Sequence, residues 1–153
     1  MTHVLRQAGR PDIAAMHRVR TAVRENRLSS PGRITEADYV DAIERSGRGW
    51  VVESDGQVAG FAVGLLGGNI WALFVHPDHE GRGYGKALHD AMVGWLRSQG
   101  VARLWLTTAP GTRAERFYVS RGWRPCGIVQ GGEMRLELDA PGAMPARFET
   151  EAS

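Results

Sequence analysis

The sequence predicts a mixed α/β (α+β) fold: a central, mostly antiparallel sheet of about seven strands with helices on both faces. Three observations predict it. Residues 49–75 hold three apolar, strand-like runs joined by tight-turn signals. A strand-helix-strand unit comes next, from "IWALFV" through a long amphipathic stretch to "ARLWLTT". Two helical stretches precede the meander. A meander pairs antiparallel and a strand-helix-strand unit favours a parallel relation, so a mixed sheet accommodates both.

Taken in order, "THVLRQA" alternates weakly and opens the chain as a strand. "PDIAAMHRVRTAVREN" places Ile13, Met16, Val19 and Val23 on one helical face, and Pro11 suits a first helical turn. "RLSSPGR" breaks that pattern. Thr35 opens a second, short helix through Tyr39 and Ile43, stopped by Gly47. "GWVVES" and "QVAGFAVGLL" are strands joined by the hairpin signal Asp55-Gly56, and "GGN" turns into "IWALFV". The strongest helix carries Leu88, Ala91, Met92, Trp95 and Leu96 as its apolar stripe, ending at Gly100. After "ARLWLTT", Thr112 to Glu115 form a capping box that opens a helix running to Arg121. "CGIVQGGEMRLEL" gives two strands around a Gly-Gly turn. The expected organisation is one domain over 1–140 and a flexible tail over 141–153, which lacks periodicity.

Bulk properties exclude several function classes. The chain has 153 residues, with nineteen Lys and Arg against seventeen Asp and Glu, a net charge of +2. No basic run marks a nucleic-acid partner. No stretch approaches the about 18 apolar residues of a membrane span, and the N-terminus lacks the apolar core of a signal peptide. The expected compartment is therefore the cytoplasm. Cys126 is the only cysteine and reads as a small buried hydrophobe in a strand. "HPDH" offers two His and one Asp on a proline turn, too little for a metal centre, so no metal is expected.

The informative segment is "HPDHEGRGYGKAL". Gly81, Gly83 and Gly85 sit where a strand turns into a helix. A helix leaves about four N–H groups unpaired at its start. Thr112 brings a cap for its helix, whereas "GRGYGK" contains no Ser, Thr, Asp or Asn. An outside acceptor fits such a start: the helix dipole favours an anion and glycines admit a bulky one. Arg82 and Lys86 add positive charge. The pattern points to a phosphate or pyrophosphate site, against the plainer reading of a turn capped by water. It is not a Walker loop, because Glu80 occupies the first Gly place and Ala87 comes after the Lys. Nor is it the dinucleotide fingerprint, whose third Gly place holds Lys86.

"LFVHPDHEGRGYGKAL" resembles the acyl-CoA-binding motif of the GNAT superfamily of N-acetyltransferases: Val-x-Pro, then Gln/Arg-x-x-Gly-x-Gly/Ala. Val75, Pro77, Gly83 and Gly85 match, and Glu80 stands where Gln or Arg is usual. "TRAERFYVSRGW" resembles the family's later Ala-x-x-Phe-Tyr-x-x-x-Gly-Phe segment through Ala114, Phe117, Tyr118 and Gly122, with Trp123 in place of Phe and Gly111 where Asn is common. The likeness extends over roughly residues 3–138 through the order of elements.

The resemblance implies transfer of an acetyl group from acetyl-CoA to a primary amine by direct attack on the thioester. It implies cofactor binding by the amides of Gly81, Arg82, Gly83, Tyr84, Gly85 and Lys86. The pantetheine arm would pair near Phe74 and Val75, in a slot between the splayed strands Ile70–Val75 and Leu104–Thr108. One N–H there would polarise the thioester carbonyl. Tyr118 would protonate the leaving thiolate; on spacing alone it reads as a buried aromatic beside Phe117. For the base, Glu133, Glu25 and His76 are the candidates. The acceptor, a small-molecule amine or a peptide N-terminus, is expected at the first two helices and their loop, with Glu25, Asn26, Arg33 and Trp71 in contact. A homodimer is compatible with the sequence. The rival reading is a non-catalytic acyl-CoA-binding or sensor domain on the same fold.

Overall fold

The computed structural model describes residues 3–24 and 34–140. The expected tail over 141–153 and the acceptor residues Glu25, Asn26 and Arg33 lie outside the described residues. Seven strands and four α-helices occur in the expected order among them, divided between two compact units, Met1–Gly100 and Val101–Ser153.

The first unit contains a four-stranded antiparallel sheet ordered β1-β2-β3-β4: β1 (His3–Gln7), β2 (Gly47–Ser54), β3 (Gln57–Leu65) and β4 (Ile70–Val75). Asp55 and Gly56 both take positive φ, 53° and 84°, as a two-residue hairpin with right-handed strand twist requires. Side chains alternate across β3. Phe61 and Val63 join Ile13, Met16, Val19, Tyr39 and Ile43 from α1 (Ile13–Arg24) and α2 (Glu36–Glu44) in one core. Gly60 and Gly64 face α3 (Tyr84–Ser98) on the other side, so close that an added Cβ at Gly64 would lie 2.8 Å from Leu96 and 2.9 Å from Met92. Leu88, Met92 and Leu96 of the expected stripe are fully buried. The sheet thus carries helices on both faces.

A 3-10 turn over Arg10–Asp12 takes Pro11, and α1 begins directly after it. Arg6 of β1 locks this junction: it donates to both oxygens of Asp12, at 2.9 and 2.8 Å, and to Glu53 of β2. Asp12 in turn accepts from the Gly9 amide at 2.8 Å.

The second unit holds a three-stranded antiparallel sheet ordered β5-β7-β6, from β5 (Leu104–Thr108), β6 (Arg124–Ile128) and β7 (Met134–Leu138), together with α4 (Arg113–Ser120). No ladder joins β4 to β5 among the described residues. Thr112 caps α4 by accepting from the Glu115 amide at 3.3 Å. The Glu115 carboxylate reaches one residue further back than a capping box requires, taking the Gly111 amide at 2.6 Å. Gly111 has φ 73°, in the left-handed region that favours glycine.

Cys126 corrects an expectation: it is exposed. All five residues of β6, which forms an edge of its sheet, are exposed. The pairing runs Pro125 to Leu136 and Gly127 to Arg135, so Cys126 is the extra residue of a bulge. Desolvation and nearby Glu137 push its thiol above the usual cysteine value, the opposite of an activated nucleophile.

Candidate active site

The glycine turn begins after β4. His76 opens a 3-10 turn, Pro77–His79, and its Nδ1 accepts from the Asp78 amide at 3.1 Å. Gly81 and Gly83 then take φ 80° and 84°, the left-handed region that L side chains avoid. Gly83 is the N-cap of α3, and no side chain caps that helix. A Cβ added at Gly81 or Gly83 would meet nothing within 4 Å. The glycines therefore serve backbone conformation and leave open space before the first amides of α3. An uncapped helix start of this kind favours an anion, the class of ligand expected from the sequence.

Around this opening the side chains divide. Lys86 is exposed. Arg82 is exposed and lies 3.2 Å from His79 Nδ1. Tyr84 turns inward: it is 4% exposed and its hydroxyl donates to Ser54 Oγ at 3.1 Å. Its ring lies 6.4 Å from that of His79 in the turn, and the hydroxyl contact anchors the start of α3 to β2.

β4 lies at the edge of its sheet. The His76 amide donates to Ala59 of β3 at 2.8 Å. Antiparallel strands alternate the direction of their main-chain groups, so Phe74 and Ala72, in step with His76, face β3. Leu73 and Val75 direct theirs to the open edge. Of the two residues expected to meet the pantetheine arm, Val75 offers main-chain groups there. The ring of Phe74 lies 5.7 Å from that of Phe61, in the core. Sequence reasoning missed Leu73, which the two-residue period from Val75 gives directly.

β4 also carries an irregularity. Val63 pairs with Ala72 and Gly64 with Ile70, leaving Trp71 as the extra, bulged residue. Its ring meets Tyr39 edge-on at 5.2 Å. Tyr39 is 1% exposed, and burial raises its phenol while nearby Arg20 works in the opposite direction. The Tyr39 hydroxyl reaches His17 Nδ1 at 3.0 Å. His17 and Tyr39 border a cleft of about 290 Å³ lined also by Arg10, Ile13, Ile34 and Glu36. This cleft lies on the α1/α2 side of the sheet, opposite α3, the side on which the acceptor is expected.

In the second unit, Tyr118 sits on α4, 7% exposed, with its ring edge-on to Trp123 at 5.4 Å. Burial pushes its phenol well above the ordinary tyrosine value, so it holds its proton through neutral pH. Glu133 is half-buried in the β6–β7 turn, where its carbonyl accepts from Val129 at 2.7 Å. Among the described residues no group of three or more His, Cys, Asp or Glu is arranged to hold a metal, and no helix is long and apolar enough to cross a membrane.

Known proteins share both sequence and geometry with this chain. A mycothiol acetyltransferase of Beutenbergia cavernae is 35% identical over 86 residues, 52% of this chain and 29% of that protein. The chain spans about a third of the length of the curated relatives it matches. Among solved structures, the PaiA N-acetyltransferase of Thermoplasma acidophilum, in complex with coenzyme A, superposes with a TM-score of 0.78 at 15% identity, covering 91% of this chain and 99% of that one. The ribosomal-protein-S18-alanine N-acetyltransferase of Escherichia coli does so at 0.71 and 18% identity, covering 96% and 98%. These two likenesses establish a shared fold. The family model described as Acetyltransferase (GNAT) family matches residues 13–123, crossing from the first unit into the second, and the chain belongs to that family.

Proposed function

We propose that this chain transfers an acetyl group from acetyl-CoA to an amine. The observation that carries the reading is the uncapped start of α3, with open space over Gly81 and Gly83, directly after the open edge of β4. The amides from Gly81 to Lys86 would hold the pyrophosphate, with Arg82 and Lys86 adding positive charge. Main-chain groups of Leu73 and Val75 would pair with the pantetheine arm. Acetyl-CoA supplies the activated acyl group as a thioester.

A Val75 N–H aimed at the thioester oxygen would stabilise the charge that gathers there as the amine nitrogen attacks. As the nitrogen–carbon bond forms and the carbon–sulfur bond breaks, the amine loses a proton and the sulfur gains one. Tyr118 is the proposed donor to sulfur, on its match to the family motif. The phenol is protonated at neutral pH. It would hydrogen-bond the developing thiolate and pass its proton to the sulfur as the carbon–sulfur bond breaks. Glu133 is the proposed base, acting directly or through water, and the α1/α2 cleft with Trp71 behind it is the proposed acceptor side. The acceptor class stays a small-molecule amine or a peptide N-terminus.

The test is a panel of amino acids, amino sugars and short peptides incubated with acetyl-CoA, monitoring free thiol against a blank without amine. Amine-dependent thiol release with matching product mass is the expected result. Acetyl-CoA binding by calorimetry without release on any amine would replace the enzyme reading with that of an acyl-CoA-binding domain. Absence of binding would reject both.

A further inference from the structure

Arg20 is the largest charged side chain in the core of the first unit, 5% exposed on the apolar side of α1. Its guanidinium carbon lies 4.9 Å from the centre of the Trp71 ring, 5.0 Å from that of Phe74 and 5.8 Å from that of Tyr39. Its Nη2 donates to the Trp71 main-chain oxygen at 3.5 Å. A buried cation is a demanding occupant for a position where Leu or Met would continue the helical stripe. What Arg brings is geometry: a planar group stacks on aromatic faces and donates in its own plane at once, which Lys cannot do.

Three of these contacts, to the Trp71 ring, the Trp71 carbonyl and the Phe74 ring, fall on β4. Trp71 is the extra residue of the β3–β4 pairing, and a bulge bends its strand and re-aims the residues beyond it. Left to itself, a residue outside the ladder has no cross-strand partner to fix its orientation. Arg20 meets this residue through both ring and carbonyl, and holds Phe74 three residues on. Between and just beyond those two lie Leu73 and Val75, whose main-chain groups point to the open edge.

The geometry points to Arg20 as a positioning residue that clamps the Trp71 bulge and the Phe74 ring from α1, and thereby sets the direction of the Leu73 and Val75 amides. The role deepens the proposed function, since it rests on that edge receiving acetyl-CoA. Arg20 acts through β4, with no contact to the reacting atoms.

The test uses Arg20→Met in the full chain with two readouts. Amide hydrogen exchange of the unliganded protein measures the clamp: exchange over β4 should accelerate about tenfold while β1 and β2 stay at the wild-type rate. Calorimetry with acetyl-CoA and with CoA measures its consequence: acetyl-CoA affinity should fall about tenfold and CoA affinity less, because only the acetyl compound presents a thioester carbonyl to the β4 edge. Arg20→Lys, which keeps charge and stem but not the planar fork, should shift both readouts in the same direction and serves alone where Arg20→Met does not fold. Wild-type exchange over β4 in the variants, or acceleration spread evenly over the sheet, overturns the clamp. Localised acceleration with unchanged acetyl-CoA affinity overturns its link to the cofactor. A wild-type protein that binds neither compound overturns the proposed function instead, and the exchange result still decides the clamp.

Discussion

At the scale of single residues, Gly83 combines two properties: a left-handed φ of 84° and open space where a side chain would stand. Gly83→Val puts a branched side chain into the open space beside the start of α3 and adds about 1–2 kcal/mol of backbone strain. Calorimetry should show acetyl-CoA binding abolished, while a thermal melt shows a modest loss and an intact fold. Unchanged affinity would move the binding site away from the turn. Tyr118→Phe removes the phenolic hydroxyl and keeps the ring against Trp123. Turnover with a working amine should fall, by up to about 10²–10⁴-fold, with acetyl-CoA affinity retained. Equal turnover in the two proteins would return Tyr118 to a packing role. The residues differ in how far the sequence exposes them. The lack of a capping side chain in "GRGYGK" is readable because capping is local chemistry. Charge alone groups Arg20 with the polar loop beside it. Its spacing tells otherwise, since Ile13, Met16, Arg20 and Val23 lie along one helical stripe. Cys126 defeats a local reading because burial of a strand residue depends on what packs over it, and no local pattern decides that.

At the scale of elements, the junction of β1, the 3-10 turn and β2 rests on Arg6 and Asp12. The hydrogen bonds from Arg6, more than the Gly9 amide, hold the Asp12 carboxyl below its ordinary range, against the opposing effect of burial. The folded form therefore binds a proton less readily than the unfolded form. This contribution to stability is complete above the unfolded value of about 3.9 and is lost as pH falls through the lower folded value. Asp12→Asn should cost about 1–3 kcal/mol at pH 7 and flatten the acid end of the stability curve. Denaturant titrations of both proteins between neutral pH and pH 3 measure the two slopes, and parallel curves would show that Asp12 is not the group responsible. α2 depends on Thr35, which accepts from the Asp38 amide at 3.1 Å while Asp38 accepts from the Thr35 amide at 2.8 Å. Thr35→Ala should cost about 1 kcal/mol in the same assay. Periodicity and turn chemistry make every strand and helix legible, to within a few residues at their ends. The bulges at Trp71 and Cys126 are not legible, because a bulge is a property of two strands in register and each strand is read alone.

At the scale of the whole molecule, the family match spans both units, and ligand linkage offers a global test of it. Acetyl-CoA at about 100 times its dissociation constant adds about 2.7 kcal/mol to a protein that binds it only when folded. For a chain of this length the melting temperature should rise by roughly 5–10 °C. Gly83→Val should show no rise, and a rise equal to wild type would contradict the binding assignment. The exposed edge strand β6 has a different consequence, for behaviour in a crowded solution. A bare strand edge is a template on which another chain can add a strand, the first step toward fibres and precipitates. Here Pro125 offers no N–H to such a visitor, and the Cys126 bulge breaks the even spacing that a straight ribbon would need. Two adjacent residues thus discourage polymerisation along an edge that also exposes Ile128.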